Sequence, residues 1–213
     1  MKTDELIAML ANGADAVEPN ALGRRYATAL GWGAIGATLL MIITLGVRPD
    51  FADAARLPMF WVKFAFVASV AAAGLVVAAR LSRPGVRLGL SPLALVAPVL
   101  ALWILAAVVL ADALAAERTG LVLGQSWKAC PFVIAGLSVP VFVAALWAMK
   151  GLAPTRLCLA GFAAGLLAGG VGATVYAFYC TEMAAPFLGV WYVLGMSIPA
   201  AVGAVIGPWV LRW

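Results

Sequence analysis

Residues 157–179 read LCLAGFAAGLLAGGVGATVYAFY, a run of 23 residues without a charged side chain. At about 1.5 Å per residue, a helix of this length crosses the roughly 30 Å hydrocarbon core of a bilayer. Charges flank the run, with Arg156 before it and Glu182 shortly after it. A helix on a soluble core would instead carry charges along one face. The run therefore predicts a membrane-spanning helix.

Five more stretches of this kind lie on either side of it. In chain order, the six predicted spans are Tyr26–Val47, Pro58–Ala79, Ser91–Ala111, Pro131–Met149, Leu157–Tyr179 and Phe187–Leu211. The composition agrees, because 65% of the residues are hydrophobic and only 11% are charged, against about 25% charged in a soluble domain. We predict an all-α polytopic membrane protein, with a tail (1–25), a bundle of six transmembrane helices (26–211) and a short C-terminus (212–213).

The basic residues in the connecting segments predict the orientation of the bundle. One side carries nine of them: Lys2, Arg24, Arg25, Arg80, Arg83, Arg87, Lys150, Arg156 and Arg212. The other side carries four: Arg48, Arg56, Arg118 and Lys128. Because cytoplasmic loops are enriched in Lys and Arg, we expect both termini to be cytoplasmic and residues 48–57, 112–130 and 180–186 to face the other compartment.

The polar residues exclude several functions. The chain has no histidine, which removes Ser-His-Asp catalysis and HExxH zinc sites. Lys63 is the one charged residue inside a predicted span; it is a buried counter-charge, the amine of a Ser-Lys pair, or, as we favour, a snorkelling or hydrogen-bonded side chain. We expect no enzyme, no required cofactor, no small-molecule substrate and no direct contact with nucleic acid. A small multi-pass transporter and a structural membrane subunit remain open as functions.

Glycines recur at every fourth position in the last two spans, at Gly161, Gly165 and Gly169 and again at Gly203 and Gly207. Such stripes let helix backbones approach closely. They serve either dimerisation or packing within the bundle, and we favour packing.

Two of the three cysteines are predicted to meet on one side of the membrane. Cys130 precedes the fourth span, Cys180 follows the fifth, and Cys158 lies at the opposite end. The short connection between these spans predicts antiparallel neighbours, so their ends should lie close enough for a disulfide. Thiolates also attract soft cations, and Glu182 would add a carboxylate. The pair is therefore a redox-sensitive or metal-sensitive dithiol that binds a soft metal ion transiently, or simply two small apolar side chains.

The tail predicts a short amphipathic helix from Asp4 to Asn12, capped by Thr3 and ended by Gly13. Asp4 and Glu5 suit its first turn, and apolar residues follow at helical spacing: Leu6, Ile7, Met9 and Leu10. About nine residues are marginal as an isolated helix, so the segment needs a surface to lie on. Its acidic residues favour a protein groove over the membrane surface, which is normally met by Lys and Arg.

A set of short motifs in fixed order carries a family resemblance. They are MKTDELIAML at the start, ARLSRPG at 79–85, KACPFVIAGLSVP from 128, KGLAPTR from 150, YAFYCTE from 176, the pair Trp191–Tyr192, and LRW at the end. The chain resembles the NrsF-type family of six-span bacterial anti-sigma factors, and the resemblance covers nearly its whole length.

The resemblance implies more than the residues alone. It implies a multi-pass protein of the bacterial inner membrane that sequesters an extracytoplasmic-function sigma factor. The tail residues that would bind this partner are Asp4, Glu5, Leu6, Ile7 and Leu10. It also implies a stress response in which a periplasmic heavy metal or oxidant acts through Cys130 and Cys180, with Glu182 as a further candidate metal ligand.

Overall fold

The computed structural model describes residues 3–12 and 20–212, with the backbone alone at Leu6, Leu10 and Asn12. These residues form helices and connecting loops and no strand. The helices are α1 (Thr3–Asn12), α2 (Ala21–Thr44), α3 (Phe51–Ala54), α4 (Pro58–Leu81), α5 (Ser91–Asp112), α6 (Ala115–Leu123), α7 (Cys130–Lys150), α8 (Leu157–Tyr176), α9 (Ala185–Phe187) and α10 (Val193–Val210). Residues Leu188–Tyr192 join α9 to α10 as a π-helical turn.

All six predicted spans are helices long and apolar enough to cross a membrane, with α9, the π-helical turn and α10 forming the sixth. Most of their ends lie within three residues of the expected positions. The first span begins at Ala21 rather than Tyr26, because the helix continues through Arg24 and Arg25. Hydropathy marks the apolar part of a helix, whereas backbone hydrogen bonding continues into charged residues at its end.

Helix α8 lies at the centre of the bundle and packs against α4, α7 and α10. The expected pairing of the fourth and fifth spans is thus confirmed. The glycine stripes pack within the bundle, as favoured above: a Cβ at Gly161 would overlap the carbonyl oxygen of Gly203, and one at Gly165 would overlap that of Pro199. The short or absent side chains are what allow α8 and α10 this backbone contact.

The two ends of the bundle differ in the residues that they carry. The thiol end holds Cys130 and Cys180, and the tail end holds Ala21 and Lys150, where α2 begins and α7 ends. Two short helices that the sequence did not predict, α3 and α6, lie in connections at the thiol end. The predicted tail helix is confirmed as α1, although Thr3 lies in its first turn; the expected stop at Gly13 falls outside the described residues.

Candidate functional site

Cys130 and Cys180 come together at the thiol end. Cys130 is the first residue of α7 and is fully buried; Cys180 follows α8 and is 2% exposed. Their amides bond back to the preceding turns, Cys130 to the Ser126 carbonyl at 2.9 Å and Cys180 to the Tyr176 carbonyl at 2.9 Å. The two thiols lie within electrostatic range of each other. The two cysteines therefore lie at the same end of the bundle, as predicted, while Cys158 is exposed near the other end. A separation short enough for a disulfide stays a prediction.

Lys63 of α4 connects this helix to the segment after α8 by hydrogen bonds. Its side chain is fully buried, and its ammonium donates to the Cys180 carbonyl at 2.7 Å and to the Glu182 carbonyl at 3.1 Å. The same ammonium lies 5.3 Å from the ring centroid of Tyr192. Lys63 thus does not snorkel to the interface; it makes the structural hydrogen bonds that were the other part of the favoured interpretation. It also lies within electrostatic range of both thiols.

Arg48 supplies a second cation to the segment after α8. Its side chain is almost buried and donates to both carboxylate oxygens of Asp50, at 2.8 and 2.6 Å. A further donor of the guanidinium lies 3.4 Å from the Cys180 carbonyl, so this oxygen receives hydrogen bonds from both Lys63 and Arg48. The bidentate bond to Arg48 lowers the pKa of the Asp50 carboxyl below its ordinary value, because charge-assisted bonds favour the ionised form.

Buried aromatic residues pack against the side of the site that faces the core of the bundle. Tyr176 and Tyr192 are buried with ring centroids 5.7 Å apart. Tyr192 ends the π-helical turn, which two indole hydrogen bonds hold in place. Trp103 of α5 donates to the Gly189 carbonyl of the turn at 2.9 Å, and Trp191 of the turn itself donates to the Val122 carbonyl of α6 at 2.8 Å. Single π-helical turns occur frequently at functional sites, and this one brings the last span against the cysteines.

A cavity of about 320 Å³ opens beside the site. Cys180 borders it, whereas Cys130 is absent from its wall. The lining consists of Leu45, Val47, Arg48, Pro49, Gln125, Ser126, Tyr176, Tyr179, Cys180, Thr181 and Glu182. The cavity thus leads to residue Cys180 and not to Cys130.

The side chain of Glu182, a predicted metal ligand, is hydrogen-bonded to the backbone of the loop after α6. Its Oε1 accepts a hydrogen bond from the backbone amide of Gln125 at 2.7 Å. Across the described ranges 3–12 and 20–212, no group of three or more His, Cys, Asp or Glu side chains is arranged to hold a metal ion. All three cysteines are free thiols. Metal binding by Cys130, Cys180 and Glu182 stays a prediction.

The predicted partner-binding residues lie on α1. Asp4 and Glu5 are exposed in its first turn. Ile7 is 59% exposed, and Met9 on the same helix is 60% exposed. Leu6 and Leu10 belong to α1 by their backbone. A helix with large apolar side chains open to solvent has surface to bury on a partner.

Comparison with known proteins settles the family. The model of a family described as "NrsF: Negative regulator of sigma F" matches residues 10–213. The chain belongs to the NrsF family. It is 57% identical to the probable anti-sigma-F factor NrsF of Azospira oryzae and 41% identical to the anti-sigma-F factor NrsF of Caulobacter vibrioides, with the full length of all three chains covered. No solved structure matches the chain.

Membership of the NrsF family makes the chain a regulator rather than an enzyme. It confirms the resemblance on which the sigma-factor prediction rests. The site at the thiol end also has features that the sequence did not predict. Arg48 and Tyr176 had been assigned no function, and the acceptors of the Lys63 hydrogen bonds had not been named. One signal was present, because Tyr176 and Cys180 are four residues apart and so share a face if the helix continues.

Proposed function

We propose that this chain is a membrane-embedded anti-sigma factor that holds an extracytoplasmic-function sigma factor at the cytoplasmic face of a bacterial inner membrane. The observation that carries the proposal is the full-length similarity to two anti-sigma-F factors. The exposed apolar side chains of α1 support the tail as the binding segment. Its acidic first turn suits a basic groove on the partner.

The proposal extends to sensing. Cys130 and Cys180 act as one unit that responds to a periplasmic heavy metal or oxidant and releases the sigma factor. Support comes from their proximity, from the cavity beside Cys180, and from the contacts of Lys63 and Arg48 with the Cys180 carbonyl. A change at either sulfur would alter the packing of α4, α7 and the segment after α8 together.

The alternatives find less support. A transporter needs a path for its solute near the middle of the membrane. Between α8 and α10 the backbones are in contact, and an added Cβ at Gly161 or Gly203 would overlap the facing chain. This central contact leaves no solute path between these two helices.

A pull-down with the detergent-solubilised full chain tests the proposed partner. We expect a sigma factor to co-purify, and it should be lost when residues 1–20 are deleted. Recovery of a membrane complex without any sigma factor would contradict the proposal and favour a structural subunit.

Reporter fusions test the orientation separately. The expected pattern alternates between cytoplasm and periplasm for fusions after Arg25, Ala54, Gly85, Gly120, Ala153 and Ala184, beginning in the cytoplasm. A C-terminal fusion that is active only in the periplasm would invert the bundle and place the thiol end in the reducing compartment.

A further inference from the structure

Two adjoining depressions lie at the tail end, on the surface between α2 and α7. The first, of about 370 Å³, is bordered by Arg24, Arg25 and Gly151. The second, of about 610 Å³, is an apolar groove that continues along the same two helices past Trp32 and Val143. The depressions share Thr28 and Trp147 on their walls. Together they form one continuous surface site, with a positively charged depression at one end and an apolar groove at the other.

Arg25 is the polar centre of the first depression. Its guanidinium stacks 4.9 Å from the ring centroid of Trp147. It also lies against Gly151 so closely that a Cβ there would overlap it. Its Nε is buried and has no hydrogen-bond partner among the residues that the structure describes. A buried donor without a partner is costly, and each such group in a native protein calls for an explanation.

An anion in this depression would compensate the positive charge of the Arg25 guanidinium, whose Nε is itself buried and out of its reach. The planar guanidinium presents parallel N–H groups that match a phosphate, and Arg24 borders the same depression. Trp147 lies where aromatic side chains mark the level of lipid headgroups. The apolar groove then runs from this level into the hydrocarbon region. A free phosphate would use only the first depression, whereas a phospholipid would fill both.

We propose that this surface binds one anionic phospholipid of the leaflet on the tail side. Its phosphate lies at Arg25 and one acyl chain lies in the groove beside Trp32, Pro140 and Val143. The lipid would tie the first turn of α2 to the last turn of α7. Because α2 begins at Ala21, within the predicted tail (1–25), a lipid bound at Arg25 holds the base of the tail against the bundle. This inference does not depend on the identity of the tail's partner.

Native mass spectrometry of the full chain in a mild detergent tests the site. The chain is supplied with phosphatidylglycerol or phosphatidylcholine of the same acyl chains. We expect one retained phosphatidylglycerol per chain and at least a tenfold preference over phosphatidylcholine. Loss of a charge-assisted hydrogen bond, at about 1.5 kcal/mol or more, corresponds to roughly a tenfold loss. Arg25→Gln should therefore reduce retention at least tenfold, and Arg25→Lys should restore part of it.

Matched variants separate the site from general attraction. Arg83→Gln makes the same change of charge at an exposed residue of the tail end and should leave retention unchanged. Ala144→Phe narrows the groove without altering charge and should lower retention of the lipid. A thermal unfolding curve for each variant checks that the bundle is intact, and the Ala144→Phe result stands if Arg25→Gln fails to fold.

Three results would overturn the proposal. They are equal retention of the two lipids, an equal loss in Arg83→Gln, and competition by glycerol phosphate as effective as that of the whole lipid. The last of these would mean a site for free phosphate only. Sigma-factor pull-downs with Arg25→Gln are read separately, so failure of the lipid site leaves the proposed partner untouched.

Discussion

The Lys63 ammonium lies 2.7 Å from the carbonyl oxygen of Cys180, although the two residues are 117 positions apart in the chain. This bond joins the second span to the segment that carries one of the paired thiols. Because the lysine is fully buried, its charge is kept in place by a few local partners: two carbonyl oxygens and the Tyr192 ring. The geometry of the thiol end therefore depends on a residue outside the cysteine-bearing helices.

Replacing this lysine should loosen the site. Lys63→Met keeps a long unbranched side chain but removes both hydrogen bonds, which leaves the Glu182 carbonyl without this donor and the Cys180 carbonyl with only the longer bond from Arg48. Loss of a hydrogen bond to a buried group costs about 1–3 kcal/mol, so the free energy of unfolding in detergent should fall by about that amount. The rate of Cys180 labelling by a thiol reagent should rise. Arg56→Gln is the control, since Arg56 is exposed. Unchanged stability and labelling in Lys63→Met would remove its structural role.

The two thiols should differ in reactivity. Cys180 borders the cavity at the thiol end and Cys130 does not, so a small water-soluble methanethiosulfonate should modify Cys180 several-fold faster. Mass spectrometry of peptides from a Cys158→Ser background measures the two rates. Labelling of Cys130 first would show that reagents arrive by another route.

Acid should weaken the ion pair between Arg48 and Asp50, which lies beside Cys180. The hydrogen bonds from Arg48 lower the pKa of Asp50, so the pair stabilises the fold above the ordinary aspartate pKa of about 3.9. That contribution is lost as pH falls through the lowered folded-state pKa. Asp50→Asn removes the contribution at every pH. The difference in stability between wild type and Asp50→Asn should therefore shrink as unfolding is measured from pH 6 to pH 3, and a difference that stays constant would contradict this.

The tail should bind its partner mainly through its apolar side chains. Fully burying one leucine contributes about 1.5–3 kcal/mol, so Leu6→Ala with Leu10→Ala should weaken sigma-factor binding by tens-fold or more. Asp4→Asn with Glu5→Gln should have a smaller effect that is largest at low salt, because rim charges act mainly on association rate. Titration calorimetry or surface binding measures both. Undiminished binding after deletion of residues 1–20 would instead point to the loop around Arg80 to Arg87, at the same end of the bundle, as the interface.

The spans were predictable because a membrane imposes one rule on them, a long apolar helix between charged ends. Short helices such as α3 and α6 escape that rule, since four to nine residues in a polar loop carry no distinctive period. The proximity of Cys130 and Cys180 followed from a short connection between neighbouring helices. The partners of Lys63 did not follow, because its acceptors are backbone carbonyls, which every residue has. The π-helical turn likewise depends on indole bonds from Trp103 and Trp191, which belong to tertiary packing.

Cys130 and Cys180 should both be required for the response to a heavy metal or an oxidant. If Cys130 and Cys180 act as one unit, Cys130→Ser and Cys180→Ser should each abolish the response, and the double variant should be no worse than either. Cys158→Ser, at the other end of α8, should respond normally. Sigma-dependent reporter output under cadmium or an oxidant measures this.

The energy required explains why two thiols are needed. Moving a partner from 99% bound to 1% bound takes roughly 5.5 kcal/mol of differential binding. A stimulus transmits nothing unless it favours a state in which the tail binds less well. A metal held by two thiolates, or a new covalent bond between them, is strong enough, whereas a contact with one exposed thiol is not. A normal response in the Cys130→Ser, Cys180→Ser double variant would leave both cysteines as small apolar residues at the thiol end of the bundle.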